Sequence, residues 1–440
     1  MMWTVPYVVV VALIAVFFVF PAFLLFRWEE HEARKEWDAA RASERNEPVS
    51  MQPWVDPSAC IGCGTCVLAC PEGKILRVVD GQARMVGGSH CVGHGACAAA
   101  CPTSAIELVF GSERRGIDLP EVNPDFSSNV PGLYVAGELG GMGLIANAVE
   151  QGIQAVDHIA ESLESTPEGG FDLVIVGGGP AGIAAGMEAI LRGLRVLVLE
   201  QGEFGGAVRH YPRQKLVMSR GFCLPGMEAV PAGTIRKEAL IEVLEAAVSE
   251  AGLRIAEKER VTAVVKTEAG HFRVQTDQRE VAAARVLLAV GRRGTPRQLG
   301  VPGEERTKVM YRLLEPERFT HSHILVVGGG DSALEAALAL CEQPGNRVTL
   351  SYRRREFSRA NLTNDSKVQH AAAMGKLTLL LESNVTEIGL DRVTVDVSGD
   401  EQVLANDFVF VFAGGVLPTE FLKAAGITLE RHFGRRRESI

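Results

Sequence analysis

Positive charge is in short supply in this chain: 45 Lys and Arg stand against 54 Asp and Glu, a net charge of -9. That balance offers no general field for a phosphate backbone, which argues against nucleic acid as a partner. Aromatic residues are also few, at 6%, yet hydrophobic residues reach 47% and charged ones only 22%, which excludes a disordered or collagen-like chain. Cysteine is absent from long stretches. Seven of the nine lie between positions 60 and 101, Cys223 and Cys341 stand alone, and no Cys-x-x-Cys follows residue 101. A dithiol able to take two electrons as a pair is therefore missing from the rest of the chain. The length, 440 residues, suits two or three domains.

Charge is absent altogether between Val5 and Phe26. A helix over that stretch would extend about 33 Å, against a hydrocarbon core of about 30 Å. Residues 1–27 are therefore expected to form a membrane-spanning anchor, with Pro6 near its start and Pro21 near its end, where a membrane helix tolerates them. No basic segment precedes the run and no small-x-small site follows it, which speaks against a cleaved signal peptide. Arg27, Arg34 and Lys35 follow the span, so the positive-inside rule places the remainder on the cytoplasmic side of an inner membrane. Residues 28–51 mix Glu, Arg and Lys and read as a solvated helical stalk.

The cysteines come in two runs, Cys60-x2-Cys63-x2-Cys66-x3-Cys70-Pro71 and Cys91-x2-His94-x2-Cys97-x3-Cys101-Pro102, within residues 52–110. Each resembles the bacterial two-cluster ferredoxin run, in which the last cysteine of one run serves the cluster of the other. A zinc ribbon does not call for the x3-Cys-Pro ending in both halves. The resemblance implies that Cys60, Cys63, Cys66 and Cys101 hold one [4Fe-4S] cluster. The second set, Cys70, Cys91 and Cys97, departs from the pattern, because His94 occupies the place of its fourth cysteine. Imidazole is a competent iron ligand, and a neutral donor there would raise the potential. A three-iron cluster or a site without iron are the alternatives.

Further on, apolar strands alternate with helical patterns twice, from Phe171 and from His323, the signature of a doubly wound parallel α/β architecture. After the first strand come Gly177, Gly179, Pro180, Ala181 and Gly182, then a helix and a second strand ending in Glu200. This is a dinucleotide-binding arrangement: the glycines let a pyrophosphate approach, the helix start supplies N–H groups, and the acid about 20 residues on accepts from a ribose. The second fold has Gly328, Gly330, Asp331, Ser332 and Ala333, but its second strand runs into Arg353, Arg354 and Arg355 rather than an acid. Arginines pair with a 2′-phosphate, so NADPH is favoured over NADH.

Residues 171–425 thus resemble the thioredoxin-reductase-like flavoprotein superfamily, through GGGPAG, GEFGG with Gly205 and Gly206, LLAVGRRGTPRQLGVPGE with Gly291, GGGDSA with YRRREFSR, and FVFVFAGGVLPT. HYPRQKLVMSRGFCLPGM is similar to the bacillithiol-disulfide-reductase-like branch. The resemblance implies FAD in the first fold (171–296) and NADPH in the second (297–425), with residues 426–440 a basic tail. Members of the superfamily close the flavin site with a PGLYVAGD-like motif near the end of the chain. Here that motif lies early, as Pro131 to Glu138, with Gly137 and Glu138 beside the flavin and a helix from Leu144 striped by Ala148, Val149, Ile153, Val156 and Ile159. Residues 111–160 are therefore expected to be a circularly permuted piece of the FAD domain, joined by a linker at 161–170. That helix start would face the electron-rich pyrimidine end of the ring.

Two Rossmann-like folds, a small α+β ferredoxin domain and one transmembrane helix imply a membrane-anchored oxidoreductase. It would pass electrons between NADPH, FAD and [4Fe-4S] clusters to or from a one-electron partner, a protein or a membrane redox carrier. The sequence permits either direction of flow and is compatible with a homodimer. No side-chain acid or base is required. Two rival expectations are a low-molecular-weight thiol or disulfide reductase using Cys223, and a membrane-tethered redox sensor. Ala181 stands where some bacillithiol-type enzymes carry cysteine.

Overall fold

The computed structural model describes residues 15–47, 51–112, 116–141, 143–211, 213–292 and 294–434. Two units result, one of residues 1–116 and 433–440, the other of residues 117–432. Most of the expected membrane span, 1–14, lies outside the described residues. Among the described residues no helix is long and apolar enough to cross a membrane.

In the first unit, helix α1 (Phe20–Ala42) follows a π-helical turn at Ala15–Val19. Its early residues Phe20, Phe23, Leu24, Leu25 and Phe26 are more than half exposed, while Ala33 and Ala40 are buried. The second half is helical and largely exposed, as expected for the stalk, but one side of it is packed. Glu36 takes Arg77 at 2.7 Å and Lys74 at 3.2 Å, and the Arg41 and Arg84 guanidiniums lie over the Trp37 ring. The charges were read as a water-facing surface, whereas small residues on one stripe let the helix approach and its long side chains wrap the contact.

A pseudo-symmetric domain follows. Strand β1 (Met51–Val55) leads to helix α2 (Thr65–Ala69), the hairpin β2 (Leu76–Val79) and β3 (Gln82–Met85), helix α3 (Ala96–Ala99) and strand β4 (Ile106–Phe110), which pairs antiparallel with β1. Gly62 (φ +67°) packs so tightly on the β2–β3 turn that a Cβ would run into the Gly81 carbonyl. The core between these short elements is made of the cysteines themselves with Ile75, Leu76, Ala83 and Ile106.

The second unit opens with β5 (Ile117–Pro120) and β6 (Leu133–Val135), then α4 (Ile145–Glu161), β7 (Phe171–Val176), α5 (Pro180–Leu191) and β8 (Val196–Leu199). A hairpin of β9 (Leu216–Ser219) and β10 (Gly233–Arg236), helix α6 (Lys237–Ala251) and strands β11 (Ile255–Ala256), β12 (Val261–Lys266), β13 (Phe272–Thr276) and β14 (Glu280–Leu288) complete the first fold. Its sheet runs β11-β8-β7-β14-β13-β12. The end of β14 also pairs in parallel with β6, Val286 opposite Leu133 and Leu288 opposite Val135, so residues 133–135 belong to this sheet. Helix α4 lies on α5, and a Cβ at Gly152 would meet the Ala181 carbonyl. Its buried stripe is Ala146, Val149, Gly152, Ala155, Val156 and Ile159: the expected Val149, Val156 and Ile159 are in it, whereas Leu144, Ala148 and Ile153 are only half-buried and Ala146, Gly152 and Ala155 take the close contact with α5. Residues 161–170 are tied down: Ser162 takes the Tyr134 hydroxyl at 2.9 Å and Thr166 bonds Asp172.

The chain enters the second fold through β15 (Thr295–Pro296) and β16 (Val309–Met310), then β17 (His323–Val327), α7 (Asp331–Cys341), β18 (Arg347–Tyr352), α8 (Leu362–Ala373) and β19 (Leu377–Leu381). A meander of β20 (Ser383–Ile388), β21 (Arg392–Val397) and β22 (Asp400–Ala405) precedes β23 (Phe408–Val411). The parallel sheet runs β16-β23-β17-β18-β19. Exit is through β24 (Gly415–Val416), antiparallel to β15.

Two boundaries differ from expectation. Helix α9 (Thr419–Ala424) does not belong to the second fold, since Leu422 and Ile427 pack in the core around Val174, Leu197 and Leu288 of the first. Nor does 426 begin a tail. Strand β25 (Leu429–His432) pairs antiparallel with β5, Leu429 opposite Pro120 and His432 opposite Ile117. Short, mixed segments such as TLERH carry too little periodicity to announce a strand whose partner lies at the far end of the sequence. Residues 435–440 lie outside the described set.

Candidate redox sites

Around the cysteines the fold forms two cavities. One is lined by Cys60, Cys63, Cys66 and Cys101, the other by Cys70, Cys91, Cys97 and His94. The structure thus brings the last cysteine of each run to the other run's cavity. Among the described residues no three such side chains converge on a point fit for a single ion, and the sulfurs stand around the two hollows instead. Burial, and then the neighbouring thiols, push the Cys66 thiol up to about 11, and burial followed by Cys91 does the same for Cys97. Thiols so reluctant to ionise suit a site whose iron supplies the missing positive charge. Cys63 differs: it is exposed, and the Thr65 hydroxyl holds its thiol below the ordinary value. His94 lies at the second cavity with Nε2 3.7 Å from Glu72 Oε1, close enough for the carboxylate to orient the ring.

In the second unit a cleft of about 740 Å³ runs between the two folds. Of the residues singled out in the sequence, Gly137, Glu138, Gly177, Gly179, Pro180, Ala181, Glu200, Gly206, Gly291 and Ser332 line it. Gly177 (φ +111°) needs its hydrogen, since a Cβ would sit 2.5 Å from the Ala289 carbonyl. Gly182 does not line the cleft. It lets α5 start against the Gly177 carbonyl, while the Gly205 N–H donates to the Gly178 carbonyl at 2.7 Å. Glu200 is buried at the end of β8, and its carboxylate accepts from the Gly178 N–H at 2.7 Å and the Gly202 N–H at 2.8 Å. Lone pairs remain for ribose hydroxyls. Open backbone, a helix start and an anchored acid fit a dinucleotide.

The second fold's residues are less gathered. Gly328 and Ala333 make the close turn between β17 and α7, and Gly330 caps the helix. Asp331 does structural work, accepting from the Asn361 N–H at 2.8 Å and from Asn364 Nδ2 at 2.7 Å. Arg353 is exposed just after β18, Arg354 reaches Ser358 Oγ at 3.3 Å, and Arg355 pairs with Glu382 at 3.2 Å. The triplet therefore splits, and Arg355 is already engaged.

Sequence reasoning missed several residues at the cleft. His210, Tyr211, Lys215, Arg292, Tyr311 and Arg312 all line it. Lys215 meets Glu335 of α7 at 3.0 Å and Arg312 Nη1 meets His210 Nδ1 at 3.1 Å, so both contacts join the two folds. The stretch HYPRQK carried three of these side chains, but nothing local says which face they take. Burial pushes the Arg292 guanidinium down against the opposing pull of Glu138 and Asp118. Burial, and then Glu304, push the Tyr311 hydroxyl up to about 12. Among the described residues no cysteine lines the cleft. Cys223 is exposed, its thiol donating to the Met227 carbonyl at 3.3 Å, and Cys341 sits on α7 with its thiol on the Leu338 carbonyl.

Comparison with known proteins agrees with this division. Residues 52–102 match the 4Fe-4S dicluster domain, and residues 174–435 match the pyridine nucleotide-disulphide oxidoreductase family. Bacilliredoxin reductase Bdr of Bacillus subtilis is 28% identical over 60% of this chain and 82% of its own. A ferredoxin–NADP reductase of Pediococcus pentosaceus is 31% identical over 54% of this chain and 70% of its own. Among solved structures, bacillithiol disulfide reductase Bdr (YpdA) from Staphylococcus aureus superposes with a TM-score of 0.52 at 26% identity, covering 58% of this chain and 80% of that one. The fold is thus thioredoxin-reductase-like, with FAD, NADPH and iron–sulfur clusters implied as cofactors. The chain is an NAD(P)H-dependent flavin oxidoreductase carrying a ferredoxin-type domain, and it belongs to the pyridine nucleotide-disulphide oxidoreductase family.

Proposed function

We infer that this protein moves electrons between NADPH and a one-electron partner, using its ferredoxin-type domain as the outlet or inlet. One observation carries the reading: two cysteine-ringed cavities share a chain with a dinucleotide cleft whose described lining holds no thiol. Bound FAD would convert the electron pair of NADPH into single electrons, which clusters can carry. The residues around it bind and position. Glu200 would hold the adenosine ribose, Gly137 and Glu138 the ribityl chain, and the start of α4 would lie under the ring, in keeping with a permuted FAD-domain segment at 111–160. Gly328, Gly330, Ser332, Arg353 and Arg354 would take NADPH. Cys60, Cys63, Cys66 and Cys101 would hold one cluster, and Cys70, Cys91, Cys97 and His94 the second.

The reading includes attachment to an inner membrane through residues 1–27, with the redox units on the cytoplasmic side. Its support is the uncharged run from Val5 and the exposed band Val16, Phe17, Phe18, Phe20 and Phe23 to Phe26. The decisive experiment is purification without oxygen, with iron, sulfide and flavin counts and EPR before and after NADPH. Iron signals that appear on NADPH addition, with steady oxidation of NADPH by a one-electron acceptor, support the proposal. Flavin reduction with no change at iron overturns it. The relatives named as bacillithiol reductases keep disulfide reduction in view, and a Cys223→Ala variant that still turned over a disulfide would remove that cysteine from it.

A further inference from the structure

Of the seven cysteines in the two runs, only Cys63 and Cys101 are followed two positions later by a hydroxyl residue, Thr65 and Thr103. The other five have Gly62, Leu68, Glu72, Gly93 and Ala99 at that place. The two cysteines come from different runs, yet the fold brings both to the first cavity. There each hydroxyl meets its own sulfur: Thr65 Oγ1 lies 3.4 Å from Cys63 Sγ, and Thr103 Oγ1 lies 3.6 Å from Cys101 Sγ. Backbone N–H groups of Ala83 and Ala105 add bonds to Cys60 and Cys101 at 3.4 and 3.3 Å.

We propose that Thr65 and Thr103 are a matched pair of hydroxyl donors that raise the reduction potential of the first iron–sulfur site. The inference rests on Cys60, Cys63, Cys66 and Cys101 being its ligands. A thiolate bound to iron has no proton to give, so in the loaded protein the hydroxyl is the donor in both contacts. Reduction adds negative charge that spreads onto the sulfurs, and a donor aimed at a sulfur binds the reduced state more strongly. Two such donors make the first site easier to reduce than its cysteines alone would allow. Both hydroxyls act through the ligand sulfurs and touch neither iron nor substrate, so they are positioning residues.

The test is an EPR-monitored redox titration of the full chain, purified without oxygen, in the unaltered form and as Thr65→Val, Thr103→Val and the double variant. Each single change should lower the first site's midpoint potential and the double change should lower it further. The second site's potential should stay in place. Thr65→Ser and Thr103→Ser should restore the original value, which a role in packing alone would not do. Where a valine variant loses iron, Thr→Ala at the same position supplies the comparison. Potentials unmoved by both the Val or Ala changes, at full iron content, overturn the proposal. An unaltered chain that binds no iron at the first site overturns the ligand assignment and the pair with it.

Discussion

The two cysteine cavities are built on one scaffold and differ in their surroundings. The first has four cysteines, two of them with hydroxyl partners, with Cys63 exposed to solvent and Cys66 buried; the second has three cysteines and His94, with Cys91 and Cys97 buried. The nucleotide folds repeat this pattern. Each has a glycine turn between a strand and a helix, but the first closes its second strand with Glu200 and the second with Arg353 and Arg354. In each pair a similar strand, turn and helix order recurs, and the side chains at the rim of the site differ in charge. A backbone turn tolerates few changes because its close contacts are steric, whereas a side chain at its rim can be exchanged without disturbing them.

The largest way to separate the two cavities is Cys101→Ala. It should remove the first cluster and about half the iron, leaving flavin and the second site's signals intact. Loss of the second site instead, measured by iron count and EPR, would show that the last cysteines do not cross over. His94 comes next. His94→Cys should lower the second site's potential by adding a thiolate, and His94→Ala should yield a three-iron signal or none. Identical iron content and spectra in His94→Ala would make the histidine a bystander.

For the nucleotide folds, replacing Arg353 and Arg354 together with Ala should weaken NADPH binding about 10- to 100-fold, the value of roughly 1.5–3 kcal/mol of charged hydrogen bonding. NADH affinity should hold. Equal losses in a titration of both nucleotides would place the 2′-phosphate elsewhere. The smallest effect belongs to the pair that ties α1 to the β2–β3 hairpin, whose Leu76 lines the second cavity and Ala83 the first. Glu36→Gln should cost about 0.5 kcal/mol, since both partners are part-exposed. The Arg77 hydrogen bond, working against burial, holds the Glu36 carboxyl below its usual range. Its folded value is depressed, so the contribution is present above the ordinary carboxylate value and is lost as pH falls through the folded one. Hydrogen exchange along α1 should therefore distinguish variant from unaltered protein at neutral pH and converge at acid pH.

Much of this was legible in sequence wherever chemistry demands a residue at a fixed spacing. The x2-x2-x3-Cys-Pro runs and the strand–glycine–helix of residues 171–182 announce themselves because their ligands are local. Glu200 was also visible, since it ends the strand next in line. Legibility failed where the partner is distant. The charges of residues 28–51 read as a water-facing stalk, and the packed side of the helix shows in the buried Ala33 and Ala40 and in the ion pairs of Glu36. His210, Lys215 and Arg312 joined the cleft through contacts to residues roughly a hundred positions away.

By itself the sequence determined the kind of chemistry, because thiolates, imidazole, glycine turns and terminal acids or arginines each suit one class of ligand. It also placed the PGLYVAGE stretch, Pro131 to Glu138, before the nucleotide folds. Only the tertiary structure decided how that piece is used: β6 takes its place on β14, and β5 finds β25 across the whole length of the second unit. The crossover of the last cysteines was expected from the two runs, but that the Thr65 and Thr103 hydroxyls each meet a sulfur at the same cavity is a finding of the fold. The reason is physical. Ligand chemistry is a property of side chains and survives in one dimension, whereas strand partners and shared cavities are set by which apolar faces bury each other, and that depends on contacts the linear order does not contain.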